Sequence, residues 1–182
     1  KDCDGKLFCT GEHSEVTYPG FKEVEKAPAN IKALSSGCNH TVILTEFGAL
    51  HSFGMNTYGE LGIISQCVRT PRLIENIPLM TFISCGANTT RCIDEEGYYW
   101  RCGRNLYGQL GTGDTQDKQI LIKDESLIIR YISTGKSEHV LMIDGDGRML
   151  GFGDNYFGQL GTGGTETKYE YQELDKELCR KL

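Results

Sequence analysis

The sequence predicts an all-β fold built from repeated four-stranded units, and three observations carry that prediction. One nine-residue signature occurs three times, as Gly54-Met-Asn56-Thr-Tyr58-Gly59-Glu-Leu61-Gly62, Gly103-Arg-Asn105-Leu-Tyr107-Gly108-Gln-Leu110-Gly111 and Gly153-Asp-Asn155-Tyr-Phe157-Gly158-Gln-Leu160-Gly161, at steps of 49 and 50 residues. A fixed period of this size marks one supersecondary unit repeated side by side. Each signature is embedded in short apolar or β-branched runs bounded by Gly and Asp, which is the strand and hairpin signal rather than the helical one. Finally, 23 glycines among 182 residues suit many turns between short strands.

Within each unit a first run ends on Gly37, Gly86 or Gly135: Ile31-Lys-Ala-Leu-Ser-Ser, Phe82-Ile-Ser-Cys and Tyr131-Ile-Ser-Thr. A second run follows (Thr41-Val-Ile-Leu, Thr90-Arg-Cys-Ile, Val140-Leu-Met-Ile), then a turn ending in Gly48, Gly97 or Gly147. The third run (Ala49-Leu-His-Ser-Phe, Tyr98-Tyr-Trp-Arg-Cys, Arg148-Met-Leu-Gly-Phe) leads into the signature, and Pro71-Arg-Leu-Ile and Ile120-Leu-Ile supply a fourth. Repeated four-stranded units of this length read as propeller blades. The expected layout is one repeat domain, 1–182, with a partial unit at 1–30, units at 31–80, 81–129 and 130–178, and the start of a further unit or a tail at 179–182. The opening stretch Asp2-Cys-Asp4-Gly5-Lys-Leu-Phe-Cys-Thr-Gly11 aligns with Asp144-Gly-Asp146-Gly147-Arg-Met-Leu-Gly-Phe-Gly153, so the chain is expected to begin inside a unit. It therefore reads as a fragment of a longer array or one half of something that pairs. Leu174, Leu178 and Leu182 also stand at helical spacing, which makes the tail a candidate helix.

Composition narrows the function classes. At 38% hydrophobic and 24% charged the chain is long enough to bury a sizeable core, and no segment approaches the roughly 20 apolar residues of a membrane span. A net charge of −6 argues against a broad electrostatic grip on nucleic acid. Membrane insertion is not expected, and the expected location is intracellular, cytoplasmic or nuclear. The eight cysteines, Cys3, Cys9, Cys38, Cys67, Cys85, Cys92, Cys102 and Cys179, form no C-x-x-C pair and are expected to be reduced, buried, structural thiols.

The motif G-x-N-x-x-G-[QE]-L-G at this period resembles the repeat of the regulator of chromosome condensation family, over residues 31–178 and a partial unit before them. The resemblance implies a seven-bladed propeller whose blades are closed by a strand borrowed from elsewhere in the chain, with about half of the ring present here. There are departures. The His that follows the small-Gly step is present as His40 and, one residue later, as His139, whereas Thr89 replaces it in the middle unit; the aromatic before the signature is Phe53 and Phe152, but Cys102 in the middle unit.

Several stretches invite a chemical reading and meet a structural one. Gly158-Gln-Leu160-Gly161-Thr-Gly163-Gly164 looks like a phosphate cradle, yet its equivalents recur in every unit, which marks a turn. There Gly54, Gly59, Gly62, Gly103, Gly108, Gly111, Gly153, Gly158 and Gly161 supply positive φ angles. Asn56, Asn105 and Asn155 bond neighbouring backbone, and Leu61, Leu110 and Leu160 plug the gap between blades. Gly135-Lys136-Ser137 matches the tail of a P-loop, but Arg130 stands where its first Gly belongs and no helix follows. Asp144-Gly-Asp146-Gly147 lacks the rest of a calcium loop, and Asp94-Glu-Glu-Gly97 at the same station identifies a hairpin turn. His40 and His139 read as structural histidines.

No catalytic, cofactor-binding or metal-binding set emerges, so the expected function is non-enzymatic protein binding through loops where the units differ. Tyr18, Arg69, Arg72, Asp114, Asp117, Lys118, Lys168 and Tyr169 are the partner-binding candidates. The expected role is an interaction scaffold within a larger signalling or trafficking protein. The resemblance implies an alternative, guanine-nucleotide exchange on a small GTPase, and a further one is inhibition of an enzyme by plugging its cleft. A homodimer completing a ring, or pairing with the rest of its own chain, is the expected assembly.

Overall fold

The computed structural model describes residues 6–13, 16–135 and 138–174. All the regular elements in them are strands, and each pairs antiparallel with its sequence neighbour. β1 (Phe8–His13) and β2 (Val16–Glu23) form a two-stranded ribbon, and β3 (Ile31–Ser36), β4 (His40–Thr45), β5 (Leu50–Met55) and β6 (Cys67–Leu73) form a four-stranded sheet. The remaining strands, β7 (Met80–Gly86), β8 (Thr89–Asp94), β9 (Tyr98–Gly103), β10 (Lys118–Thr134), β11 (His139–Asp144), β12 (Met149–Gly153) and β13 (Lys168–Glu173), join in one seven-stranded sheet.

That sheet is two blades sharing a strand. From Lys118 to Ile128 β10 pairs with β9, and from Ile129 to Thr134 it pairs with β11. Its first half is thus the outer strand of one blade and its second half the inner strand of the next. The first strands face one another across the axis side: Cys85 donates its N–H to Ser35 Oγ at 2.9 Å, and Ser84 Oγ lies 2.7 Å from Thr134 Oγ1. The chain is therefore three four-stranded blades preceded by the two outer strands of another, an unclosed arc of a β-propeller.

The structure differs from the sequence reading in three places. The expected boundary at 129/130 falls inside the continuous β10, which Lys118–Thr134 can form because no proline interrupts it. The third blade's outer strand, β13, has no counterpart among the predicted runs because its residues, Lys168-Tyr-Glu-Tyr-Gln-Glu, are largely polar. The extra residue before His139 is absorbed in the loop, for His40, Thr89 and His139 pair opposite Gly54, Gly103 and Gly153 respectively. The candidate tail helix lies outside the described residues.

The cores lie between blades rather than within them. Along β4, Ile43 packs with Leu7, Val24, Ile31 and Phe53 toward the ribbon, while Val42 and Leu44 turn to Met80, Ile83, Cys92, Cys102 and Leu121 of the next blade. A third cluster joins Ile93 and Tyr99 to Ile129, Ile132, Val140, Met142, Leu150 and Phe152. Period-two alternation thus feeds both faces of each middle strand into a core. Each fully buried aliphatic contributes about 1.5–3 kcal/mol.

The signature glycines are required by crowding. Gly54, Gly103 and Gly153 have φ of 120°, 106° and 96°, and a Cβ there would fall 2.4, 2.3 and 2.3 Å from the carbonyl oxygens of Asn39, Asn88 and Glu138. Gly103→Ala is expected to cost about 3 kcal/mol or more, because backbone would have to move. Gly161→Ala meets nothing within 4 Å at φ 65° and is expected to cost about 1–2 kcal/mol. Urea unfolding of the two variants checks this; equal losses would contradict the crowding.

Candidate functional site

The loops joining third and fourth strands carry the signatures to one face of the arc, and each is held by the same set of bonds. The N–H of Leu61, Leu110 and Leu160 donates to Oδ1 of Asn56, Asn105 and Asn155 at 2.8, 2.9 and 2.9 Å. The amide Nδ2 of each Asn spans the loop to a carbonyl, that of Ser65, Asp114 or Gly164. Glu60, Gln109 and Gln159 accept the N–H of Tyr58, Tyr107 and Phe157 at 2.7, 2.8 and 2.8 Å. With its polar atoms turned inward, each loop presents its variable positions to solvent: Leu106 (51% exposed), Tyr107 (42%), Tyr156 (71%) and Phe157 (85%).

Polar contacts register blade on blade. His40 Nε2 lies 3.0 Å from Thr90 Oγ1, which donates to the Glu60 carbonyl at 2.6 Å. Within the second blade, the buried Arg91 donates to Thr89 Oγ1 at 2.6 Å and to the Gln109 carbonyl at 2.7 Å, tying the signature loop to the second strand. Burial lowers the pKa of both His51 and His139, so both rings favour the neutral form.

Two guanidinium groups stand out, and neither was legible as a cluster in the sequence. Arg101 is buried between the second and third blades, 2.6 Å from Asp124 and also bonded to the Tyr171 hydroxyl. Burial alone would raise the Asp124 pKa, but bonds from Ser126, Tyr171 and Arg101 hold it well below the usual range. On the signature face, Arg104 sits 5.2 Å from the Tyr58 ring of the first blade and 5.7 Å from the Tyr107 ring of its own. It is also 3.7 Å from Glu138, whose other oxygen accepts from Gln109 Nε2 at 2.8 Å.

The sequence-predicted partner residues do not converge on one patch. Strand register places Tyr18, Lys118 and Lys168 at one equivalent station, opposite Gly11, Gly103 and Gly153, on the outer strands β2, β10 and β13. Arg69 and Arg72 lie exposed on β6, with Arg72 lining a shallow groove of about 460 Å³ beside Ile63, Ile77 and Leu121. Tyr169 covers Gly108. Asp114, Lys118 and Lys168 are half-buried rather than exposed. Asp114 and Asp117 brace the loop from within, Asp114 through Asn105 Nδ2 and Lys118, Asp117 through the Asn105 N–H. Among the described cysteines, all free, Cys92 and Cys102 are buried as expected, but Cys38 and Cys67 are exposed. Burial pushes the Cys85 thiol up to about 11. The Asp144 carboxylate is occupied by the N–H groups of Asp146 and Arg148 and by Arg148 Nε, a hairpin turn as read.

The Asp114 network gives a pH test. Its partial burial raises the carboxyl pKa, but Lys118, the Gln116 N–H and Thr112 outweigh this and lower it to about 2. Its folded pKa thus lies below the unfolded value of about 3.9, so its stabilisation is present above about pH 4 and is lost as pH falls toward 2. Asp114→Asn is expected to be less stable than the parent at pH 6, with the gap closing between about pH 4 and 2. Thermal unfolding across that range checks it.

A model described as the regulator of chromosome condensation (RCC1) repeat matches residues 48–93, and a second model of the same repeat matches residues 129–159. The ultraviolet-B receptor UVR8 of Arabidopsis thaliana is 36% identical over 127 residues, covering 65% of this chain and 28% of the receptor. The X-linked retinitis pigmentosa GTPase regulator of Homo sapiens is 33% identical over 94 residues, 50% of this chain and 9% of the regulator. The regulator of chromosome condensation of Mus musculus is 32% identical over 120 residues, 60% of this chain and 28% of that protein. The chain thus spans under a third of the length of these relatives. Among solved structures, human WBSCR16 superposes with a TM-score of 0.79 at 18% identity, over 95% of this chain and 49% of that one. Prp20p from Saccharomyces cerevisiae does so at 0.68 and 20%, over 83% and 40%. No helix among the described residues is long and apolar enough to cross a membrane. The first match runs from the third strand of one blade to the second strand of the next and the second lies within the third blade, so over these residues the chain carries regulator of chromosome condensation repeats.

Proposed function

We propose that the chain is a protein-binding propeller segment of an intracellular protein, cytoplasmic or nuclear, which works without covalent catalysis and meets its partner on the signature-loop face. The observation that carries this is the exposure of Tyr107, Tyr156 and Phe157 on loops whose own polar groups are internally bonded. Tyrosine and arginine dominate binding hot spots because they bury large area at modest entropic cost. Prp20p, which binds Gsp1p and histones, supports a protein partner. The likeness to a GTPase regulator favours a second reading, in which the partner is a small GTPase and the face displaces its guanine nucleotide.

The test is capture of a panel of small GTPases by the immobilised chain, with release of a fluorescent nucleotide followed in parallel. Binding without faster release is expected; accelerated release would establish exchange. Replacing Tyr107 and Phe157 together by Ala is expected to weaken binding about tenfold or more with little change in Tm. Undiminished binding would move the interface elsewhere.

A further inference from the structure

The two blade joints on the signature face are built alike, and they differ in one charge. Met55, Arg104 and Asp154 follow the first glycine of each signature, and the N–H of each donates to the carbonyl before the second strand, that of Asn39, Asn88 or Glu138, at 2.8–2.9 Å. Tyr58, Tyr107 and Phe157 likewise share a station, since each N–H bonds the side chain two residues on. At the first joint the chain places its own guanidinium, Arg104, between the rings of Tyr58 and Tyr107. At the second joint the equivalent rings are Tyr107 and Phe157, and the residue at the Arg104 station is Asp154.

We infer that the second joint is a cation slot, in which a partner's arginine side chain stacks between Tyr107 and Phe157 and pairs with Asp154. This rests on the protein-binding reading above and specifies the partner's chemistry. At the neighbouring joint the rings at the same two stations lie 5.2 and 5.7 Å from a guanidinium, which is the precedent for the slot. Cation–π attraction at such a site is reinforced by a carboxylate beside it. Asp154 is half-buried and accepts one bond on each oxygen, from the Tyr156 N–H at 3.1 Å and Gln159 Nε2 at 2.8 Å, which fixes the carboxylate and leaves lone pairs for a further donor. Glu138, already facing Arg104, adds negative potential between the two joints. Phe157 is held edge-on by Tyr156 at 4.9 Å, which fixes its ring as one wall of the slot. An arginine fits better than a lysine because its planar group can lie against a ring while its edge reaches the carboxylate.

The experiment is a titration of the 182-residue chain with N-acetyl-arginine amide, followed by amide NMR shifts, with N-acetyl-citrulline amide as the uncharged isostere. Shifts confined to Tyr107 and residues 154–159 are expected with arginine and absent with citrulline. Asp154→Arg supplies the slot with its own cation and is expected to weaken probe binding at least about tenfold, with the resonances around Tyr58 and Arg104 unchanged as proof of folding. Asp154→Asn, which keeps an acceptor for the Tyr156 N–H, is expected to weaken it as well. Equal shifts from citrulline, or undiminished binding by Asp154→Arg, would overturn the slot. A protein partner that binds Asp154→Arg as tightly as the parent would also overturn it while leaving the protein-binding reading in place. Arginine binding with no protein captured would do the reverse.

Discussion

The arc depends on one steric constraint, the approach of each second strand's leading backbone onto a glycine that ends the third strand. A side chain at Gly54, Gly103 or Gly153 would occupy the place of a carbonyl oxygen. That carbonyl is the acceptor for the next N–H along the signature, at Met55, Arg104 or Asp154. Glycine therefore sets where the signature loop leaves the sheet, and the loop then sets the neighbouring blade. Gly59 and Gly108, next in the motif, take the backbone of Gln119 and Tyr169 from the following outer strand within 2.4 and 2.8 Å of a notional Cβ. One residue type at two stations thus fixes the geometry within a blade and between blades.

Because each core is shared between two blades, a blade has little meaning alone. The second and third are further tied by the uninterrupted β10, whereas Asn76, at φ 61°, and Pro78 break the path from β6 to β7. Proline lacks the N–H a ladder needs, and Asn tolerates the left-handed turn, so that connection is a loop. The Arg101, Asp124 and Tyr171 cluster sits at the corner where β10 passes from one blade to the other. A buried ion pair of this kind is costly to break from one side, because the remaining charge stays unpaired.

What could be read in the sequence followed what repeats. The blades, the hairpin turns at Asp94 and Asp144 and the bonding role of Asn56, Asn105 and Asn155 were legible, since each recurs at a fixed station. The polar strand β13 and the continuity of β10 were not, as neither produces an apolar run with clear ends. Partner candidates drawn from loop variability include residues that brace their own loop and leave out the exposed residues of the signature. Asp114 and Asp117 vary because each loop is braced differently, whereas Leu106, Tyr107, Tyr156 and Phe157 vary on the outside of loops braced alike. The face formed by the motif's own variable letters appears only when the blades are set side by side.

The same logic explains why one signature position can change charge without cost to the fold. Met55, Arg104 and Asp154 are anchored by backbone, and the side chains of Arg104 and Asp154 meet residues of the signature loops. The architecture asks only for an N–H at that station, so the side chain is free to answer to whatever lies opposite. In the first joint the chain supplies both rings and cation itself, which leaves Arg104 tied up with Tyr58, Tyr107 and Glu138. In the second the same two ring stations are Tyr107 and Phe157, and the residue at the Arg104 station is the anion Asp154. A repeat protein gains specificity in this way, by holding geometry constant from blade to blade and varying the charge at a position the geometry does not need.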